Sequence, residues 1–84
     1  MNNPLTERQE KELRRIQTLL VDSIKDYMRR NRLRNHQFAK QTGTSATVLF
    51  DVMCKGNFTM KTLVRLTDTI GVRVVFEPKE EKTK

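Results

Sequence analysis

The sequence predicts an all-α fold of no more than five helices, followed by one C-terminal strand. Three observations carry this. An apolar stripe at helical spacing runs from Leu13 to Met28 with no Gly or Pro. Three further apolar stretches at the same spacing follow, each closed by Gly43, Gly56 or Gly71. A single segment, Val72 to Glu77, alternates with a period of two. The 84 residues suffice for one small domain. A domain of that size buries only about 60% of the surface its unfolded chain exposes.

The first helix is expected from about Thr6 to Arg32. Pro4 and Thr6 open it, and Glu7, Glu10 and Glu12 place acidic groups at its start, where the helix dipole favours negative charge. Leu13, Ile16, Leu20, Ile24, Tyr27 and Met28 follow in steps of three and four, which places them on one face. Leu19 and Val21 sit beside that stripe. Asn35 is the expected N-cap of a short helix over 36–42, with Phe38 and Ala39 pointing inward. Gly43 supplies the turn, because glycine alone adopts positive φ cheaply.

Ser45 is the expected N-cap of the next helix, from Ala46 to about Cys54, which carries Leu49, Val52 and Met53 at helical spacing. Gly56 and Asn57 end it. Thr59 caps a helix from Met60 to Ile70, with Leu63, Leu66 and Ile70 on one face, and Gly71 closes it. Met28, Met53 and Met60 are expected to fill gaps in the core. Val72, Val74 and Phe76 then face one side of a strand over 72–77, and Pro78 stops it. A lone strand leaves its backbone donors and acceptors unmatched. The expected remedy is the same strand from a second copy, antiparallel about a twofold axis, with Val72, Val74 and Phe76 as the dimer interface. The domain is thus expected over 1–78, with 79–84 a disordered charged tail.

Composition narrows the function. Lys plus Arg number 17 against 10 Asp plus Glu, for a net charge of +7. That surplus points to a polyanionic partner. From Lys25 to Lys40 there are six basic residues (Lys25, Arg29, Arg30, Arg32, Arg34, Lys40) and one acid, Asp26. One Cys excludes a disulfide within the chain, and one His leaves little scope for a zinc site or a Ser-His-Asp triad. His36 reads as a surface or capping residue and Cys54 as a small residue at a helix end. No metal, no cofactor and no enzymatic activity are expected. No signal peptide and no apolar run of the roughly 18 residues a membrane span requires is visible, so a cytoplasmic location is expected.

The central stretch, Asn35 to Val52, carries the most specific pattern. Phe38, Ala39, Gly43, Ser45, Leu49 and Val52 stand in order as large apolar, Ala, Gly, Ser, apolar, apolar. At this spacing the stretch resembles the helix-turn-helix of the Cro/repressor-like (XRE-type) DNA-binding family. Gly56-Asn57-Phe58-Thr59 and Ile70-Gly71-Val72 are similar to a subfamily of small phage regulators and antitoxins. The resemblance covers about residues 15–77. In this chain the interval from Gly43 to Gly56 is about one residue longer than the family's commonest spacing. Ala46, Val48 and Phe50 stand where many relatives carry Gln, Arg or Asn.

The resemblance implies a helix-turn-helix repressor-like bundle whose second motif helix enters the major groove. It implies base contacts from Ser45, Ala46, Thr47, Phe50 and Asp51. It implies phosphate contacts from Asn35, His36, Gln37, Lys40, Lys55 and Asn57, joined by Arg29, Arg30, Arg32 and Arg34. Phe50 has three open readings: core, DNA contact or protein contact. The expected function is sequence-specific binding of double-stranded DNA, as a homodimeric transcriptional repressor on an inverted-repeat operator. One alternative is an antitoxin that also binds a toxin through the long first helix or the tail. Another is a phage protein-interaction module in which the motif survives only as scaffold.

Overall fold

The computed structural model describes residues 4–79, and the tail expected over 79–84 lies outside these from residue 80 onward. Among the described residues the chain is helical with no strand: α1 (Glu7–Arg30), α2 (Asn35–Thr42), α3 (Ala46–Phe50) and α4 (Met60–Ile70). A π-helical turn, Asp51–Lys55, continues directly from α3. No helix among these residues is long and apolar enough to cross a membrane.

Each helix starts where a side chain satisfies an orphan backbone donor. Thr6 caps α1: its hydroxyl accepts from the Gln9 backbone N–H at 3.1 Å, and Gln9 Oε1 accepts from the Thr6 N–H at 3.0 Å. Ser45 accepts from the Val48 N–H at 3.1 Å, and Thr59 from the Thr62 N–H at 3.2 Å. The cap of α2 is a correction by one residue. Arg34 rather than Asn35 occupies the N-cap, because Gln37 Oε1 reaches back to the Arg34 N–H at 2.8 Å.

The core consists of Leu20, Ile24, Phe38, Ala39, Leu49, Val52 and Leu66, with Tyr27, Met28, Leu33, Met53, Phe58, Leu63 and Ile70 packed against it. Every helix contributes: α1 packs on α4 and on the π turn, and α2 packs on α3 and α4. The Tyr27 ring tilts against Phe38 with centroids 5.8 Å apart. This tilted contact between the end of α1 and α2 is a favoured aromatic geometry. Three residues of the expected apolar stripe and core lie outside it, the half-buried Leu13 being one. Ile16 is 42% exposed on α1, and Met60 is 69% exposed at the first turn of α4.

Residues 72–79 leave α4 as exposed, non-helical chain. The strand expected over 72–77 is not formed within one chain. Its period-two pattern suits a sheet, but a ladder requires a second strand to exchange N–H and C=O groups. Val72, Val74, Val75 and Phe76 are all exposed, Phe76 the most at 88%.

The helix ends share one device. After α2, Gly43 N–H donates to Lys40 O and Thr44 N–H to Ala39 O; after α4, Gly71 N–H donates to Asp68 O and Val72 N–H to Thr67 O. This is the paired closure of a Schellman motif. At the π turn both bonds reach one residue further back: Gly56 N–H to Val52 O, and Asn57 N–H to Asp51 O. The π turn thus takes in one residue more than the closures at Gly43 and Gly71, as a one-residue insertion into a helix does. Gln17 of α1 supports it by donating from Nε2 to the Met53 carbonyl at 3.3 Å. Gly56 has φ +67°, and a Cβ there would come within 3.0 Å of Gln17 Oε1.

Two outcomes test this packing. Leu49→Ala, at a 2% exposed site, is expected to cost about 2–5 kcal/mol, read as loss of cooperative thermal unfolding by circular dichroism. Gly56→Ala is expected to destabilise more than Gly43→Ala, where the added Cβ meets open space. Shortening Gln17 to Ala should shrink that difference; an unchanged difference would show that crowding by Gln17 is not its source.

Candidate nucleic-acid interface

The turn between α2 and α3 is fixed by more than its glycine. Gly43 has φ +80°. The buried Thr42 hydroxyl donates to Ala39 O at 2.9 Å and lies 2.9 Å from the Thr44 hydroxyl. Ser45 then starts α3. Threonines at 42 and 44 were not singled out in the sequence. Their signal was weak, since hydroxyl residues next to a turn glycine are common.

This turn sets which way α3 faces. Leu49 and Val52 are 2% and 0% exposed and fasten its inner edge to the core. The helical period then turns Ala46, Thr47 and Phe50 outward, and all three are exposed. Phe50 is 56% exposed, so it is not a core residue. Ser45 is exposed, and Asp51 is half-buried. Of the five residues expected to face bases, Ser45, Ala46, Thr47 and Phe50 are thus exposed and Asp51 partly so, although the Ser45 Oγ already accepts from the backbone. That surface is apolar at Ala46 and Phe50 and holds no long hydrogen-bonding side chain.

The residues expected to meet phosphate are all exposed: Arg29, Arg30, Arg32, Arg34, Asn35, His36, Gln37, Lys40, Lys55 and Asn57. They divide by their ion pairs. Asp26 holds Arg29 through Oδ1 and Arg30 through Oδ2, both at 2.7 Å. Lys55 Nζ lies 3.7 Å from the Asp51 carboxylate, which offsets a negative charge that would otherwise repel a polyanion. Arg32, Arg34 and Lys40 have no ion-pair partner among the described residues. Exposed pairs of this kind contribute little to stability, on the order of 1 kcal/mol or less. Their larger effect here is to divide the basic cluster into neutralised and unneutralised members.

Arg32 is the unexpected residue. It has φ +53° and is the only residue other than glycine with positive φ among those described. It closes α1 with the same bonds the glycines make: Arg32 N–H to Arg29 O, and Leu33 N–H to Met28 O. An L-residue in this region is strained by about 1–2 kcal/mol. Nothing in the sequence marked this position, because every other closure of the kind falls on a glycine.

No protein-family model matches the chain, and neither a curated protein nor a solved structure matches it.

Relieving the backbone at Arg32 gives a direct test. Arg32→Gly is expected to stabilise the domain by about 1 kcal/mol, which raises Tm by about 4–8 °C in a domain of this size. A lowered Tm would show that the arginine side chain makes a structural contact that outweighs its strain.

Proposed function

We propose that this chain binds double-stranded DNA as a homodimer, with α3 seated in the major groove, and acts as a repressor by occupying a promoter rather than as an enzyme. The observation that carries the reading is the outer face of α3. It is uncovered, it is anchored by two buried residues beneath it, and unpaired cations lie on α2 and the loop before it. The buried positions Phe38, Ala39, Leu49 and Val52 match the apolar positions a helix-turn-helix requires. A helix of this diameter fits a major groove about 12 Å wide. Arg32, Arg34 and Lys40 supply phosphate contacts without first breaking an ion pair. Asn35, His36 and Gln37, in the first turn of α2, face the backbone where helix N-termini favour anions.

The homodimer rests on the exposed 72–77 segment. Val72 and Val74 line an open groove with Val64 and Thr67 of α4. A second copy of the strand would cover this surface and pair its backbone. A twofold dimer then presents two α3 helices to half-sites about 34 Å apart.

A second reading is favoured by α1, where Ile16 and Leu19 remain 42% and 56% exposed. That surface suits a protein partner, as in an antitoxin that binds both DNA and a toxin. Copurification of a partner that Leu19→Glu releases, with DNA binding intact, would support it.

Two measurements test the main reading. Duplex affinity should fall steeply between about 50 and 200 mM salt, and Lys40→Gln should reduce the slope of log affinity against log salt by about one. A flat salt dependence would remove the DNA reading. Val74→Glu should yield monomers in sedimentation experiments and weaken operator binding far more than nonspecific binding. A Val74→Glu protein that remains dimeric would exclude pairing through this strand.

A further inference from the structure

We propose that the outer face of α3 selects its duplex through the C5-methyl groups of thymine, with Phe50 as the principal contact. This rests on the DNA-binding reading above and names what that site recognises. In the major groove, guanine offers two acceptors, adenine an acceptor and an amino donor, cytosine an amino donor, and thymine a carbonyl and a methyl group. Guanine is best read by Arg or Lys and adenine by Asn or Gln, because these side chains make two hydrogen bonds at once. Residues 45–51 contain none of the four.

The polar groups that are present are committed elsewhere or short. Ser45 Oγ accepts from the Val48 N–H at 3.1 Å. The Asp51 carboxylate, the natural acceptor for cytosine, lies 3.7 Å from Lys55 Nζ. Ala46 and Phe50 remain, one helical turn apart on the same side and both exposed, beside the exposed Thr47, whose short side chain offers one hydroxyl and a methyl. The thymine methyl is the one major-groove feature that such side chains recognise. Charge identifies the occupant of this apolar face as a duplex rather than an apolar protein surface. The chain carries +7, and the exposed Arg32, Arg34 and Lys40, on α2 and in the loop before it, have no ion-pair partner among the described residues.

The test begins with selection of tight-binding duplexes from a random pool by the full chain. The recovered duplexes are then resynthesised with deoxyuridine in place of thymidine, which deletes the methyl groups and keeps the pairing. The expected result is a loss of about four-fold in affinity for each contacted methyl. Phe50→Ala, folded by circular dichroism, should bind the thymine and uracil duplexes alike. Equal binding of both duplexes by the native chain would overturn methyl recognition while leaving DNA binding in place. A Phe50→Ala protein that keeps the full uracil penalty would overturn the assignment to Phe50. Failure to bind any duplex would overturn the DNA reading and this proposal with it.

Discussion

The burial of Leu49 and Val52 is the constraint on which the rest of the molecule turns. These residues join Ile24, Phe38 and Leu66 in a single core fed by every helix. A five-residue helix has no stability of its own, since helix nucleation is costly and short helices are marginal in water. α3 therefore exists because its inner edge is packed. Once that edge is fixed, the helical period leaves no choice about which residues point outward. The outward placement of Ala46, Thr47 and Phe50 is a direct consequence of where two side chains are buried.

The π turn shows how the fold accommodates a spacing that does not fit a regular helix. The residues from Ser45 to Gly56 must begin at a cap beside α2 and end where the chain turns toward α4. With a regular α-helical closure over the same residues, Val52 and Gly56 could not both keep their places. Widening Asp51–Lys55 to a π turn keeps Val52 buried and brings Gly56 to its positive φ. Gln17 then takes the Met53 carbonyl, so α1 acts as a brace for the end of the α3 segment as well as a wall of the core.

The charge distribution has a finer grain than the net charge implies. Of the four arginines from the last turn of α1 to the start of α2, Arg29 and Arg30 share Asp26, whereas Arg32 and Arg34 have no such partner among the described residues. Arg32 also sits in a backbone conformation that glycine would adopt without strain. Strain of this kind persists where surrounding structure enforces it, and it concentrates at functional positions. An unpaired cation is thus held at a strained helix end just before α2.

How much was legible in advance depends on the range of the interaction involved. The four helices, three of the four N-caps and the closures at Gly43, Gly56 and Gly71 follow from neighbours a few residues apart, and the sequence by itself determined them. The inward set Phe38, Ala39, Leu49 and Val52, and the outward set Ala46 and Thr47, were determined by helical period alone. The tertiary structure decided what depends on distant partners. It left Ile16 and Met60 exposed where their spacing suggested core, and placed Phe50 outside the core although three readings were open. It set the π turn against Gln17 and left the 72–77 segment without a ladder partner in its own chain. The reason is physical: capping and amphipathic period act within a helical turn or two, while burial, helix widening and strand pairing depend on which surface comes from elsewhere to meet the residue.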